Sequence, residues 1–215
     1  MKIAIGLYGV TRHFNDTFTQ WDLPYWKNHN LDFYCSTWNT SRARDLRPDD
    51  VSAVTITNEY ILEKLPNANI SIFDEYLVGW RTDTFFKWNF HVRNILLEIK
   101  KSNIKYDKVI LIRFDGILVT DNSRKDLDEI LSSTDMLGLY DGKISDRIPY
   151  SGDFGFIGNF DDLYNLFGHS DFPRATFMEE RRENNDESNH NLLGRYLKEY
   201  VGESNLKTGN ITIQK

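Results

Sequence analysis

From Lys108 to Arg113 the chain reads Val109, Ile110, Leu111, Ile112 with no polar break. An unbroken apolar run of this length predicts a strand covered on both faces, as inner strands of parallel sheets are. Upstream, Lys2 to Tyr8 predicts a first strand, followed by a Gly9-Val10-Thr11-Arg12 loop. Asn15 or Asp16 is placed to cap a helix running through Trp21, which Pro24 interrupts. Leu31 to Trp38 predicts a second strand and Thr40 to Asp50 a polar loop. Thr57 to Leu65 suits a short helix stopped at Pro66, and Ile70 to Phe73 a third strand.

The strongest helical rhythm lies in Thr84 to Lys101. Phe85, Trp88, Val92, Ile95, Leu96 and Ile99 recur at steps of three and four, and Thr82 or Asp83 can cap the element. Ser123 and Asp126 have capping-box spacing before a helix through Leu131. Asp135 to Tyr140 predicts a further short strand. The segment Asp141 to Asn159, rich in Gly, Asp and Ser, reads as loops around Phe154 to Ile157. A short helix follows at Phe160 to Phe167. Glu179 to Glu187 is a charged, solvated loop by default. Helical periodicity resumes from Asn189 to Tyr200, and Ile211 to Ile213 suggests a last edge strand. Alternation of strand and helix through Tyr140 predicts an α/β three-layer sandwich with a mainly parallel sheet.

The length of 215 residues suits one domain with a well-buried core. Residues 1–140 would form its first part and 141–215 its second. With 26 basic and 32 acidic residues the net charge is −6, which offers no global attraction for nucleic acid. An anionic ligand must therefore be held locally. Cys35 is the single cysteine, so an internal disulfide is excluded, and its apolar surroundings predict a buried thiol. No run approaches the roughly 20 apolar residues that span a bilayer, and no secretory signal pattern opens the chain. The expectation is a cytoplasmic protein.

Asp115 follows the Lys108–Arg113 strand directly. Open α/β sheets bind ligands outside the carboxyl ends of their strands, so this carboxylate stands where a ligand is expected. It suits a divalent cation that shares its coordination with phosphate oxygens; capping the turn at Gly116 is the alternative. Arg12, after the first strand, can grip a diphosphate with two parallel hydrogen bonds, aided by Gly9 and Thr11; a solvent-facing arginine in a turn is the alternative there. Asn89 and Arg93 share one face of the long helix, away from its apolar stripe.

Three segments resemble the GT-A glycosyltransferases, in particular small nucleotide-sugar-dependent members from bacteria and large viruses. They are Ile3-Ala4-Ile5-Gly6-Leu7-Tyr8-Gly9-Val10-Thr11-Arg12-His13-Phe14, Asp32-Phe33-Tyr34-Cys35-Ser36-Thr37-Trp38-Asn39, and Tyr106-Asp107-Lys108-Val109-Ile110-Leu111-Ile112-Arg113-Phe114-Asp115. The last has Arg-x-Asp where most metal-dependent members have Asp-x-Asp.

The resemblance implies a Rossmann-like sheet and transfer of a sugar from a nucleoside diphosphate donor, uridine diphosphate above all, to a glycan or other hydroxyl acceptor. It implies a manganese or magnesium ion on Asp115, with His190 as a further ligand. Gly9, Thr11, Arg12, Arg93 and Arg113 would contact the nucleotide. Asp153 and Glu187 would bind sugar hydroxyls or serve as the base. Metal-independent members of the class exist, and a non-catalytic relative that binds a nucleotide or glycan is the alternative function.

Overall fold

A strand order that reverses on itself organises the protein. The computed structural model describes residues 1–41, 54–74, 84–119, 124–134, 137–143, 150–168, 193–194, 197–198, 205–209 and 212–213. The strands are β1 (Lys2–Gly9), β2 (Asn30–Trp38), β3 (Asn69–Phe73), β4 (Lys108–Arg113), β5 (Gly116–Ile117), β6 (Leu137–Lys143), β7 (Tyr150–Gly158), β8 (Leu206–Gly209) and β9 (Thr212–Ile213). The helices are α1 (Phe14–Thr17), α2 (Asn58–Leu62), α3 (Thr84–Lys101), α4 (Arg124–Ser132) and α5 (Phe160–Phe167). Two 3₁₀ turns, Phe18–Asp22 and Pro24–Asn28, follow α1.

Among the described residues, seven strands form one sheet in the order β3-β2-β1-β4-β7-β6-β8. The chain builds outward from β1 to β2 and β3, then returns to lay β4 on the other side of β1. Both β1–β2 and β1–β4 pair in parallel, with Tyr8 opposite Ser36 on one side and Arg113 on the other. Only β7 runs against the rest, pairing antiparallel with β4 and β6. The mainly parallel α/β sheet expected from the sequence is present.

Each inner strand buries both faces, which is why its sequence lacks alternation. Ala4, Tyr8, Val109 and Leu111 face α3 and α5, where Trp88, Val92, Ile95, Leu96, Ile99, Leu163 and Phe167 meet them. Ile3, Ile5, Leu7, Ile110 and Ile112 face Phe14, Trp21, Trp26, Leu127 and Ile130 on the opposite side. These two apolar layers with the sheet between them make the three-layer sandwich. Gly6 lets α3 lie close: a Cβ there would stand 2.7 Å from both Ile95 Cγ2 and Leu111 Cδ2.

Several expected elements differ. Asp141 to Asn159 is not a string of loops: β7 fills Tyr150–Gly158 and occupies the sheet between β4 and β6. Gly152, Gly155 and Gly158 dilute its apolar signal, while Phe156 and Ile157 are buried on opposite faces. The expected strand Asp135–Tyr140 is β6, shifted to Leu137–Lys143. Strand β8 has no apolar run to announce it. The expected helix through Trp21 is a single α-turn that tightens into 3₁₀ geometry. Its N-cap is His13 in the left-handed region (φ 57°), with no side-chain cap from Asn15 or Asp16. The Thr57–Leu65 helix is shorter, Asn58–Leu62, and Thr57 caps it by accepting from the Tyr60 amide. Of the expected helix Asn189–Tyr200, residues 193–194 and 197–198 are described and helical, with Leu193 and Leu197 in the core. Residues 212–213 pair with β5 and not with the large sheet. The caps assigned to Thr82, Asp83 and Ser123 lie outside the described residues. No helix among the described residues is long and apolar enough to cross a membrane. Cys35 is free and buried, and burial pushes its thiol pKa up.

Candidate functional site

The strand order reverses between β1 and β4, and it is at the carboxyl ends of strands beside such a reversal that doubly wound sheets have their ligand crevice. The chain leaves β1 through Gly9, whose φ of +90° favours glycine, and turns at His13. No atom would lie within 4 Å of a Cβ on Gly9, so its backbone borders open space. Thr11 and Arg12 occupy the turn. Across the crevice, β4 ends at Arg113 and passes through Phe114 into Asp115.

Arg12, Arg113 and Asp115 meet there. Arg113 donates from Nε to Asp115 Oδ1 at 2.9 Å and from Nη2 to Oδ2 at 2.7 Å, a two-pronged grip. Arg12 Nε donates to the same Oδ2 at 2.8 Å. The Asp115 side chain is 2% exposed, that of Arg113 17% and that of Arg12 43%. The acid is thus the buried hub, and Arg12 is the outermost of the three. Among the described residues, the two guanidiniums and one carboxylate of this cluster sum to a net positive charge.

The turn after β4 is braced from the α1 segment. Thr17 Oγ1 donates to the Phe114 carbonyl at 2.5 Å. Gln20 Nε2 donates to the carbonyls of Thr17 at 3.0 Å and Gly116 at 2.8 Å, and Gln20 Oε1 accepts from the Leu118 amide at 2.9 Å. Both side chains are buried. The sequence reading did not single them out. Polar Thr17 and Gln20 alternating with Phe14, Phe18 and Trp21 carry no local pattern that marks them.

The resemblance assigns a divalent cation to Asp115. The described residues do not fit one well. Both carboxylate oxygens already accept from guanidiniums, and no group of three or more His, Cys, Asp or Glu able to hold a metal occurs among the described residues. A divalent ion about 4 Å from the Arg113 guanidinium would be repelled by roughly 8 kcal/mol at an effective dielectric of about 20. The carboxylate does not cap the Gly116 turn either; it is spent on the two arginines.

The remaining expected residues distribute as follows. Gly9, Thr11, Arg12, Arg113 and Asp115 gather at the crevice. Thr11 is 2% exposed, and its hydroxyl has no hydrogen-bond partner among the described residues. Asp153 lies in β7, two residues before Gly155, which pairs with Ile112. Because β7 runs antiparallel, this brings Asp153 to the same sheet edge as Arg113. It stands where the β6–β7 register shifts between Tyr140 and Gly142, the kind of irregularity that clusters near functional sites. Arg93 does not join them through its Nε, which donates to the Gly168 carbonyl at 3.3 Å and ties α3 to the end of α5. Glu187 and His190 lie outside the described residues. Asn39 Oδ1, just past β2, and Asn89 Nδ2, on α3, are also buried without partners in the protein.

Beside the crevice, His91 packs edge-on against Trp38, with ring centroids 4.3 Å apart. Its Nδ1 lies 2.9 Å from Ser36 Oγ, while Nε2 has no partner in the protein. Full burial lowers its pKa to about 3, so the ring is neutral.

No protein-family model and no curated protein sequence matches the chain. Solved structures are similar to it in backbone. The galactosyltransferase LgtC, in complex with donor and acceptor sugar analogues, aligns over 97% of this chain and 73% of its own, with a TM-score of 0.49 at 10% identity. The glycosyltransferase GlyE of Streptococcus pneumoniae TIGR4 aligns over 96% of this chain and 44% of its own, with a TM-score of 0.45 at 9% identity. Its apo form gives 93%, 43%, 0.46 and 12% in the same order. The chain therefore spans less than half the length of GlyE.

Proposed function

We propose that this protein is a glycosyltransferase that moves a sugar from a nucleoside diphosphate donor, a uridine diphosphate sugar, to an acceptor hydroxyl. The observation that carries the reading is the Arg12–Asp115–Arg113 cluster at the switch point between β1 and β4. A compact positive cluster in that crevice suits a diphosphate, and guanidiniums match phosphate oxygens in geometry as well as charge. The sugar half of the reading rests on the resemblance of the β1, β2 and β4 segments to GT-A enzymes. The acceptor is a glycan or another hydroxyl compound.

In this mechanism the acceptor oxygen attacks the anomeric carbon as the bond to the diphosphate breaks. The transition state has oxocarbenium character. Arg12 and Arg113 hold the diphosphate. Asp153, at the same sheet edge, binds sugar hydroxyls or takes the acceptor's proton, and Glu187 is the second acid proposed for those roles.

The test is a panel of uridine diphosphate sugars assayed for release of uridine diphosphate in the presence of sugar acceptors. Release that depends on acceptor, and that falls at least tenfold in Arg12→Ala, supports transfer. A thermal shift with the nucleotide but no product with any acceptor would instead make the chain a binding protein. The shift alone reports a ligand bound to the native state.

A further inference from the structure

We propose that the arginine pair does the work of the divalent ion, and that Asp115 is a positioning residue for the arginines and not a metal ligand. This inference rests on the glycosyltransferase reading for its chemistry, but not for its binding test.

Asp115 is buried, and both its oxygens are taken by guanidinium nitrogens at 2.7 to 2.9 Å. A metal at this buried carboxylate would compete with three guanidinium hydrogen bonds and would lie beside two cations. The cluster as it stands already supplies what a metal would: net positive charge at the carboxyl ends of β1 and β4. Its geometry is also fixed in advance. Arg113 is clamped side-on, and Asp115 sits in a turn whose backbone is held by Thr17 and Gln20. Preorganised charge of this kind stabilises a developing anion without rearrangement at the moment of reaction.

Arg12 is the group that reaches the ligand. Its bond to Asp115 uses Nε alone, and its side chain is 43% exposed. Both of its terminal nitrogens lie outside that bond. The next residue toward β1, Thr11, carries a buried hydroxyl that the described residues leave unsatisfied. Gly9, bordering open space with φ +90°, lets the ligand approach the backbone.

The electron balance matches this charge. As the bond from the anomeric carbon to the phosphate oxygen breaks, its electron pair leaves with the diphosphate. The acceptor oxygen bonds to that carbon and its proton passes to a carboxylate, the role proposed for Asp153. The diphosphate gains one negative charge, and the guanidiniums of Arg12 and Arg113 are the described positive groups placed to receive it.

The experiment separates the two readings. Inorganic pyrophosphate and uridine diphosphate are titrated into the full chain by calorimetry in EDTA and again in manganese, and sugar transfer is assayed under both conditions. The arginine clamp requires binding in EDTA within about twofold of that in manganese. It also requires a loss of at least tenfold in Arg12→Ala, with partial recovery on adding millimolar guanidinium, a rescue that a purely structural defect would not show. In Asp115→Asn, pyrophosphate affinity drops while manganese restores none of it; if that variant fails to fold, the Arg12→Ala series decides alone. Binding or transfer that appears only with manganese and vanishes in EDTA overturns the clamp and leaves the glycosyltransferase reading intact. Metal-free binding without transfer to any acceptor does the reverse. Absence of pyrophosphate and nucleotide binding under both conditions sinks both.

Discussion

Gln20 donates its side-chain amide to the Gly116 carbonyl at 2.8 Å, joining residues 96 positions apart in the chain. The same side chain accepts from the Leu118 amide. A single glutamine therefore bonds two backbone groups of the buried turn that follows β4, one on each side of Ile117.

Gln20→Ala should accordingly destabilise the fold by roughly 1–3 kcal/mol, the usual cost of removing one partner from buried hydrogen bonds. Urea denaturation at neutral pH measures this. The turn carries Asp115, so nucleotide affinity should weaken in the same variant under conditions where it remains folded. Wild-type stability in Gln20→Ala would show that the turn finds other partners.

The Arg113–Asp115 pair should show strong coupling. Removing either member breaks a two-pronged bond that is largely out of water, and removing both costs less than the sum of the two single losses. A double-mutant cycle over Arg113→Met and Asp115→Leu is expected to give a coupling energy of about 1–3 kcal/mol in folding stability. Additive effects would mean that the observed bonds carry little energy.

Gly6 and Gly9 predict opposite kinds of failure. Gly6→Val drives new carbon atoms into Ile95 and Leu111, whose methyls already stand 2.7 Å from a Cβ. The overpacking cost is about 1–3 kcal/mol, part of which should be recovered by a compensating Ile95→Ala. Gly9→Ala meets no atom at all, so its cost, about 1–2 kcal/mol, comes from backbone conformation alone, and no neighbouring truncation should relieve it. Thermal unfolding of the two pairs distinguishes packing from backbone strain.

Much of this architecture is legible in the sequence because inner parallel strands advertise themselves. The runs at β1, β2 and β4 have no competing interpretation, and the α3 stripe at Trp88, Val92, Ile95 and Ile99 is buried as its period requires. What the sequence concealed has a common cause. Strand β7 is stabilised by neighbours on both sides, so it tolerates three glycines that its own propensity would forbid. The Arg12–Asp115 contact joins residues 103 apart, and no local spacing records it. Asp115 was visible as a carboxylate at a strand end, but a metal ligand and an arginine anchor look identical until the partners are seen. Thr17 and Gln20 were overlooked because their partners are main-chain atoms, which leave no pattern in the side chains.

His91 makes stability depend on pH in a defined direction. Its folded pKa, about 3, lies below the ordinary histidine value of 6.5, because burial disfavours the charged ring. The unfolded chain therefore binds a proton that the folded protein refuses. The contribution is absent as a penalty above pH 6.5; as pH falls below 6.5 the unfolded state gains, and the loss continues until about pH 3. At roughly 1.4 kcal/mol per pH unit, about 2 kcal/mol should be lost between pH 7 and 5, before most carboxylates titrate. His29, whose pKa is also lowered by burial, adds to the same slope. His91→Gln keeps a polar group near Ser36 and removes the titration. Urea midpoints measured at pH 7 and 5 should fall less for this variant than for the wild type, even if its stability at pH 7 is lower. Equal slopes for the two proteins would mean that the ring is protonated without unfolding, through water reaching Nε2 beside Trp38.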